Sequence, residues 1–189
     1  ISGIGQGFIL ATPLQLAVMT ARLANGAEAV VPRLVRPAGD ADKPGAKTGF
    51  EPLGISKRSL DIVREGMNRV TNELRGTAYR ARITEEGMEM SGKTGTAQVR
   101  RISKAERDSR VLKNHERPWR ERDHALFVGY APSDNPRYAV SVVVEHGGGG
   151  SKVAAPIARD LLLATQKRDP ANREEAPHTE AASVNSEEI

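Results

Sequence analysis

Three strand-like stretches in the second half of the chain constrain its fold more than any other feature. Residues 94–99, 125–130 and 138–145 are rich in β-branched and aromatic side chains. Between the second and third stretches, residues 131–136 combine proline, aspartate and asparagine, the composition of a tight turn. The sequence therefore predicts an antiparallel meander of three strands. The third stretch is rich in valine, which predicts burial of both of its faces.

Helices are predicted on both sides of the meander. The first is expected to begin at Thr12, which opens a capping box with Gln15, and to end at Gly26. The second is expected to run from Ser56 to Gly76, and the last covers roughly residues 155–167. Each has an apolar stripe, and we interpret the stripes of the first two helices as core packing. The stripes are Leu14, Ala17, Val18, Ala21 and Ala24, then Leu60, Val63, Met67, Val70 and Leu74, then Ile157, Leu161 and Ala164. Helices around an antiparallel sheet make an α+β fold.

Composition and charge limit the classes of function. The chain has no cysteine, so no disulfide or zinc–sulfur site can form, and its histidines show no metal-ligand spacing. Residues 100–122 carry nine basic and four acidic side chains, while residues 169–189 carry six acidic side chains and one arginine. We interpret the first segment as a charged excursion between strands and the second as a disordered acidic tail. A nucleic-acid-binding arm is the alternative for the basic segment, although Trp119 is its only aromatic residue.

The tripeptide Lys-Thr-Gly occurs twice, and its context separates the two copies. Lys47-Thr48-Gly49 lies in a stretch with turn composition, whereas Lys93-Thr94-Gly95 opens a predicted strand and continues into Thr96. In enzymes that use a serine nucleophile, this motif accompanies Ser-x-x-Lys and Ser-x-Asn. Its lysine presents charge, its hydroxyls bind a carboxylate, and its glycine lets a ligand approach the backbone. We therefore predict that the second copy is functional and that the first arose by chance.

Two other motifs receive structural interpretations. Ser133-Asp134-Asn135 matches Ser-x-Asn, but it lies in the predicted turn after the strand that carries Lys93. The glycines at residues 147–150 lack the spacing of a phosphate-binding loop, so we predict a flexible connection from strand to helix. No serine of the chain is followed three residues later by a lysine, so Ser-x-x-Lys is absent.

Over residues 1–168 the chain resembles the C-terminal part of a penicillin-binding protein transpeptidase domain. The likeness is strongest to the class B, elongation-specific branch, the penicillin-binding protein 2 enzymes. It rests on five blocks in a fixed order. These are Gly3-Ile4-Gly5-Gln6-Gly7 with residues 11–17, Gly76-Thr77-Ala78, residues 91–98, residues 124–132, and residues 144–148.

The resemblance implies peptidoglycan D,D-transpeptidation, in which a serine takes the acyl group of a stem peptide and passes it to an amine. β-Lactams are implied as ligands that trap the serine. Lys93 would supply charge beside the serine, Thr94 and Thr96 would bind the carboxylate, and Gly95 would keep the strand edge open. The backbone N–H of Thr96 would be one donor to the oxyanion. No cofactor and no metal are implied.

The resemblance also implies what this chain lacks. The serine, its Ser-x-x-Lys lysine and the Ser-x-Asn motif are expected before Ile1, together with a membrane anchor in the bacterial inner membrane that holds this domain in the periplasm. We therefore expect the chain alone to be inactive. Other cell-wall elongation proteins are the implied partners, and nucleic acid is not. A serine β-lactamase or D,D-carboxypeptidase of the same fold remains an alternative, as does a non-catalytic sensor or nucleic-acid-binding module.

Overall fold

A computed structural model describes residues 9–34 and 50–170. Its centre is a three-stranded antiparallel sheet of order β1-β2-β3, formed by β1 (Ser91–Ala97), β2 (His124–Ala131) and β3 (Tyr138–Val144). The predicted meander is confirmed. Strand β1 begins at Ser91, before the predicted start at residue 94, because the small residues at its start pair with the end of β2.

Helices surround the sheet in the predicted α+β arrangement, which is confirmed. They are α1 (Pro13–Ala24), α2 (Lys57–Asn72), α3 (Lys104–Ser109) and α4 (Ala154–Arg168), with single 3-10 turns at Tyr79–Ala81, Asn114–Glu116 and Trp119–Glu121. The capping box of α1 is present, since the amide of Gln15 donates to the Thr12 hydroxyl at 3.2 Å and the Thr12 amide donates to the Gln15 side chain at 2.8 Å. None of the described helices is long and apolar enough to span a membrane.

Helix α4 closes one face of the sheet. The β2 residues Ala125, Phe127 and Ala131 alternate onto this face and are fully buried. They pack against small residues of the helix, chiefly Ala154, Ala155 and Ala158, which allow the helix to approach the strands closely. This layer is the main hydrophobic core of the described residues.

Helices α1 and α2 cover the other face less completely. Tyr130 is buried there against Ala24 and Met67. Core packing was predicted for every member of both helical stripes, and this was wrong for three of them. The exposed fractions are 60% for Leu14, 43% for Val63 and 79% for Leu74. The exposure of Leu74 follows from the end of α2 at Asn72, before the predicted end at Gly76.

The prediction that β3 is buried on both faces was also wrong. Strand β3 is paired only with β2 among the described residues, so it lies at an edge of the sheet. Val142 is buried, but Val143 is more than one-third exposed on the opposite face. A run of valines predicts a buried strand, but it does not distinguish a central strand from an edge strand that is covered on one face.

Three predictions concern residues outside the described ranges. They are the Gly3-Ile4-Gly5-Gln6-Gly7 block, the first Lys-Thr-Gly copy at Lys47, and the acidic tail after Pro170. Asp169, the first residue of the predicted tail, is described, and it accepts hydrogen bonds from Arg137 at 3.0 Å and from the Tyr138 hydroxyl at 2.5 Å. The end of α4 is therefore held to β3.

Candidate active site

Strand β1 presents the second Lys-Thr-Gly motif at an edge of the sheet. Within the described residues, β1 pairs with β2 on one side only. Lys93 lies opposite Val128, Thr94 opposite Phe127 and Thr96 opposite Ala125. Residues directly opposite each other in an antiparallel pair point to the same face. Lys93 therefore lies on the α1/α2 face, whereas Thr94 and Thr96 lie on the α4 face.

Lys93 is exposed at the side of an apolar groove. Its ammonium donates a hydrogen bond to the carbonyl of Thr94 at 2.7 Å. No acidic side chain of the described residues forms an ion pair with it. The groove has a volume of about 400 Å³. Its other lining residues are mostly apolar side chains of α1, α2 and β2, namely Met19, Leu23, Ile62, Val63, Gly66, Met67, Val70 and Val128. A cation at the wall of such a groove can stabilise a negative charge there, and more strongly once the groove is filled and water is excluded.

Thr94 is bonded to a hydroxyl that the sequence interpretation did not use. The hydroxyl oxygens of Thr77 and Thr94 lie 2.9 Å apart. Thr77 belongs to the Gly76-Thr77-Ala78 block, which supported the resemblance but received no role. The sequence contained a signal for this contact. The small residues Gly76 and Ala78 on either side of Thr77 indicate that the backbone there packs closely against another segment.

The glycine loop is packed against the motif, so its interpretation as a flexible connection was incomplete. A Cβ atom added to Gly150 would lie 2.3 Å from the carbonyl oxygens of Gly95 and Leu126. Gly148 is buried, and its amide donates to the Asp123 carbonyl at 2.8 Å. The loop therefore supports the middle of β1 from the α4 face.

Ser133-Asp134-Asn135 lies in the turn between β2 and β3, as predicted. The Ser133 hydroxyl donates to the Glu89 carbonyl at 3.1 Å and accepts from the Ser91 hydroxyl at 2.9 Å. These bonds tie the turn to the start of β1. The Ser133 hydroxyl therefore has a structural role. The position of residues 133–135 between β2 and β3 confirms the predicted turn.

The basic segment between β1 and β2 is partly neutralised by its own acidic residues. Arg100 forms an ion pair with Glu106, Arg110 with Glu116, and the buried Arg117 with Asp123. The hydrogen bond from Arg100 lowers the pKa of Glu106, and the backbone amide of Lys113 lowers the pKa of Glu116. This pairing favours the interpretation of a folded excursion over that of a nucleic-acid-binding arm.

Two of the histidines that received no ligand role, His124 and His146, pack with each other at the base of this excursion. The amide of His146 donates to Nδ1 of His124 at 2.8 Å, and the ring of Trp119 meets that of His146 edge-on. Among the described residues, no three His, Asp or Glu side chains are placed to share a metal ion.

Comparison with known proteins agrees with the resemblance. Residues 1–163 match the family model of the penicillin-binding protein transpeptidase domain. Relatives named peptidoglycan D,D-transpeptidase MrdA include that of Acinetobacter baumannii, 34% identical over 88% of this chain, and that of Haemophilus influenzae, 36% identical over 85%. The chain spans 24% of the length of each of these two relatives.

Solved structures give the same result. The penicillin-binding protein PBP2 of Helicobacter pylori, in complex with MreC, superposes with a TM-score of 0.65 at 28% identity, over 88% of this chain and 27% of that one. The PBP2 of Pseudomonas aeruginosa, in complex with WCK 5153, gives a TM-score of 0.60 at 34% identity, over 95% of this chain and 34% of that one.

Proposed function

Because this chain belongs to the penicillin-binding protein transpeptidase family, we propose that it forms one wall of the active site of a peptidoglycan D,D-transpeptidase. The observation that carries the proposal is the placement of Lys93-Thr94-Gly95-Thr96 on a sheet edge, with the cation on one face and the hydroxyls on the other. The MrdA relatives support the same reaction and the same elongation-specific branch.

The proposed reaction is acyl transfer through a serine ester. The serine oxygen attacks the carbonyl carbon of the penultimate D-alanine of a stem peptide. The resulting oxyanion collapses, terminal D-alanine leaves as an amine with a proton, and the acyl group stays on the serine. An amine of a neighbouring stem peptide then attacks the ester, forms the cross-link and releases the serine. A β-lactam enters the same first step, but its ester persists.

Each residue of the β1 edge has a proposed role in this reaction. The ammonium of Lys93 stabilises negative charge beside the serine and orients its proton transfers. The hydroxyls of Thr94 and Thr96 bind the terminal carboxylate of the stem peptide or the carboxylate of the β-lactam. The backbone N–H of Thr96 donates to the oxyanion, and the loss of such a donor typically costs roughly 10²–10³ in rate.

Because this sequence contains no Ser-x-x-Lys, we propose that the nucleophile comes from outside it. We propose that the segment with that motif occupies the apolar groove beside Lys93. Two features of the structure support this location. The groove exposes Ile62 and Val63 of α2, side chains that an apolar segment would cover. The ammonium of Lys93 also lies at the groove wall, where contact with a serine and its base is possible.

The location and the partners of the protein are proposed on family grounds. We propose that this domain lies in the periplasm and is held there by an anchor in the inner membrane. The Helicobacter pylori protein was solved with MreC. By analogy, we propose that the protein assembles with other cell-wall elongation proteins.

A penicillin-labelling experiment on the full-length protein tests the function. Fluorescent penicillin should label the wild-type protein covalently. We expect Lys93→Ala to reduce the acylation rate by about two orders of magnitude or more, the scale reported for removal of one stabilising group. Lys47→Ala, the matched change in the other motif copy, should leave the rate unchanged.

The outcomes separate three conclusions. Equal losses in the two variants would show that the wrong copy was assigned. Failure of the wild-type protein to react would refute the transpeptidase proposal. Covalent labelling of the isolated 189-residue chain would refute the proposal that the nucleophile lies elsewhere.

A further inference from the structure

Thr77 lies next to the Lys-Thr-Gly motif although it belongs to another part of the chain. Its hydroxyl oxygen is 2.9 Å from that of Thr94. A threonine hydroxyl has one proton to donate and two lone pairs that accept. In this pair one hydroxyl donates and the other accepts. The side chain at residue 77 therefore influences whether the Thr94 proton points to Thr77 or to another acceptor.

The backbone around Thr77 is fixed to the end of helix α2. The amide of Ala78 donates to the Val70 carbonyl at 2.9 Å, and Ala78 is almost completely buried. A Cβ atom at residue 76 would lie 2.3 Å from the oxygen of Val70, so only glycine fits there. The two small neighbours therefore fix the position of the threonine between them, although its own side chain is exposed.

The end of α2 is in turn bonded to the start of β1. The Thr71 hydroxyl donates to the Met90 carbonyl at 2.7 Å, and the side-chain amide nitrogen (Nδ2) of Asn72 donates to the same oxygen at 3.1 Å. Met90 directly precedes β1. Thr77 and Thr94 thus belong to backbone segments that are hydrogen-bonded to each other through α2. The fold therefore fixes the distance between their two hydroxyl oxygens.

We propose that Thr77 is a positioning residue that directs the Thr94 proton toward the carboxylate of the substrate or β-lactam. When the Thr77 hydroxyl donates to the Thr94 oxygen, the Thr94 proton is left to donate to the ligand. The donated bond also polarises the Thr94 hydroxyl and strengthens its bond to an anion. This inference rests on the proposed function of the β1 edge, because it assigns Thr94 to carboxylate binding.

Within the described ranges, no other hydrogen bond to the Thr94 hydroxyl is present. The Lys93 ammonium donates to the Thr94 carbonyl and not to its hydroxyl. A valine at residue 77 keeps the branched shape of threonine but removes the donor. It therefore leaves the Thr94 hydroxyl free to rotate and without its polarising partner.

The test uses the full-length protein and two forms of one ligand, benzylpenicillin and its methyl ester. The variants are Thr77→Val, which removes the hydroxyl, and Thr77→Ser, which restores it. Thr84→Val is the matched control, since Thr84 is also an exposed threonine and takes no part in this contact. The measurement is the second-order rate constant of acylation, with the thermal unfolding midpoint followed in parallel.

We expect Thr77→Val to lower acylation by benzylpenicillin about tenfold, the order expected for one hydrogen bond to a charged group. Acylation by the methyl ester should change less than about twofold, since the ester has no carboxylate to bind. Thr77→Ser should recover most of the lost rate, and Thr84→Val should match the wild-type protein. If Thr77→Val does not fold, Thr77→Ala should give the same tenfold change in the ratio of the two rates.

Equal slowing of both ligands by Thr77→Val would overturn the inference, because a structural defect does not discriminate between acid and ester. An unchanged rate with benzylpenicillin would overturn it as well. In either case, acylation of the wild-type protein leaves the proposed function intact. Lack of reaction in the wild-type protein would refute that function and this inference with it.

Discussion

The two faces of the sheet differ in how far this chain covers them by itself. On the α4 face, Phe127 and its neighbours are fully buried beneath small helix residues. On the α1/α2 face, an apolar groove remains open beside Lys93, and Ile62 is 64% exposed at its edge. The closed face contains what is needed to hold the Lys-Thr-Gly strand in place. The open face is where, in the function proposed above, another segment would supply the nucleophile.

The closed face can be tested most severely at Gly150. A methyl group there would meet the backbone of β1 and β2, which cannot rotate away as a side chain would. We expect Gly150→Ala to lower the free energy of unfolding of the full-length protein by about 3 kcal/mol, at the upper end of the overpacking range. Urea denaturation measures this loss.

Gly149 provides the matched control. A Cβ atom at Gly149 would meet nothing within 4 Å, and the backbone of Gly149 is not in the positive-φ region that favours glycine. Gly149→Ala should therefore be close to neutral. Equal effects at both positions would mean that the closed face does not support β1 through Gly150.

The open face can be tested at Val63 with the same protein. If the groove is filled in the complete domain, Val63→Thr places a hydroxyl in an apolar contact. We then expect a loss of about 1–2 kcal/mol in the free energy of unfolding. Val99→Thr is the control, since Val63 and Val99 are 43% and 41% exposed in this chain. A loss at Val63 no larger than that at Val99 would show that the groove stays open to water.

The charged excursion between β1 and β2, residues 100–122, should respond to acid. The pKa of Glu106 lies below its ordinary value of 4.5, chiefly because of the hydrogen bond from Arg100. A carboxyl group with a lowered pKa in the folded state stabilises that state above the ordinary value, and the contribution is lost as the pH falls through the lowered value. Amide hydrogen exchange in residues 100–122 should therefore accelerate as the pH falls below 4.5, relative to the intrinsic rate.

The control for the acid response is Glu106→Gln, which cannot titrate. Its exchange in the same segment should depend less on pH than that of the wild-type protein. The remaining dependence should come from Glu116, whose pKa is lowered by the Lys113 amide and by Arg110. Identical pH profiles for the two proteins would exclude Glu106 as a source of the response.

The sequence predicted the three strands and the helices α1, α2 and α4 because their signals are local. The capping box at Thr12, the turn at Ser133 and the composition of β2 depend on residues close together in the chain. The exposure of Val63 was not predicted, because helical periodicity shows which side chains share a face but not what covers that face. The role of Gly150 and the contact of Thr77 depend on packing between distant segments, which spacing alone does not encode.

The contact between Gly95 and Gly150 also sets an order for biosynthesis. Strand β1 leaves the ribosome well before the glycine loop and α4, which complete the face that supports it. A nascent chain can pair β1 with β2 early, but β1 is supported by the glycine loop only when the residues around 150 have emerged. A pause in translation before that point would prolong the exposure of the apolar sheet face that α4 covers, which favours aggregation.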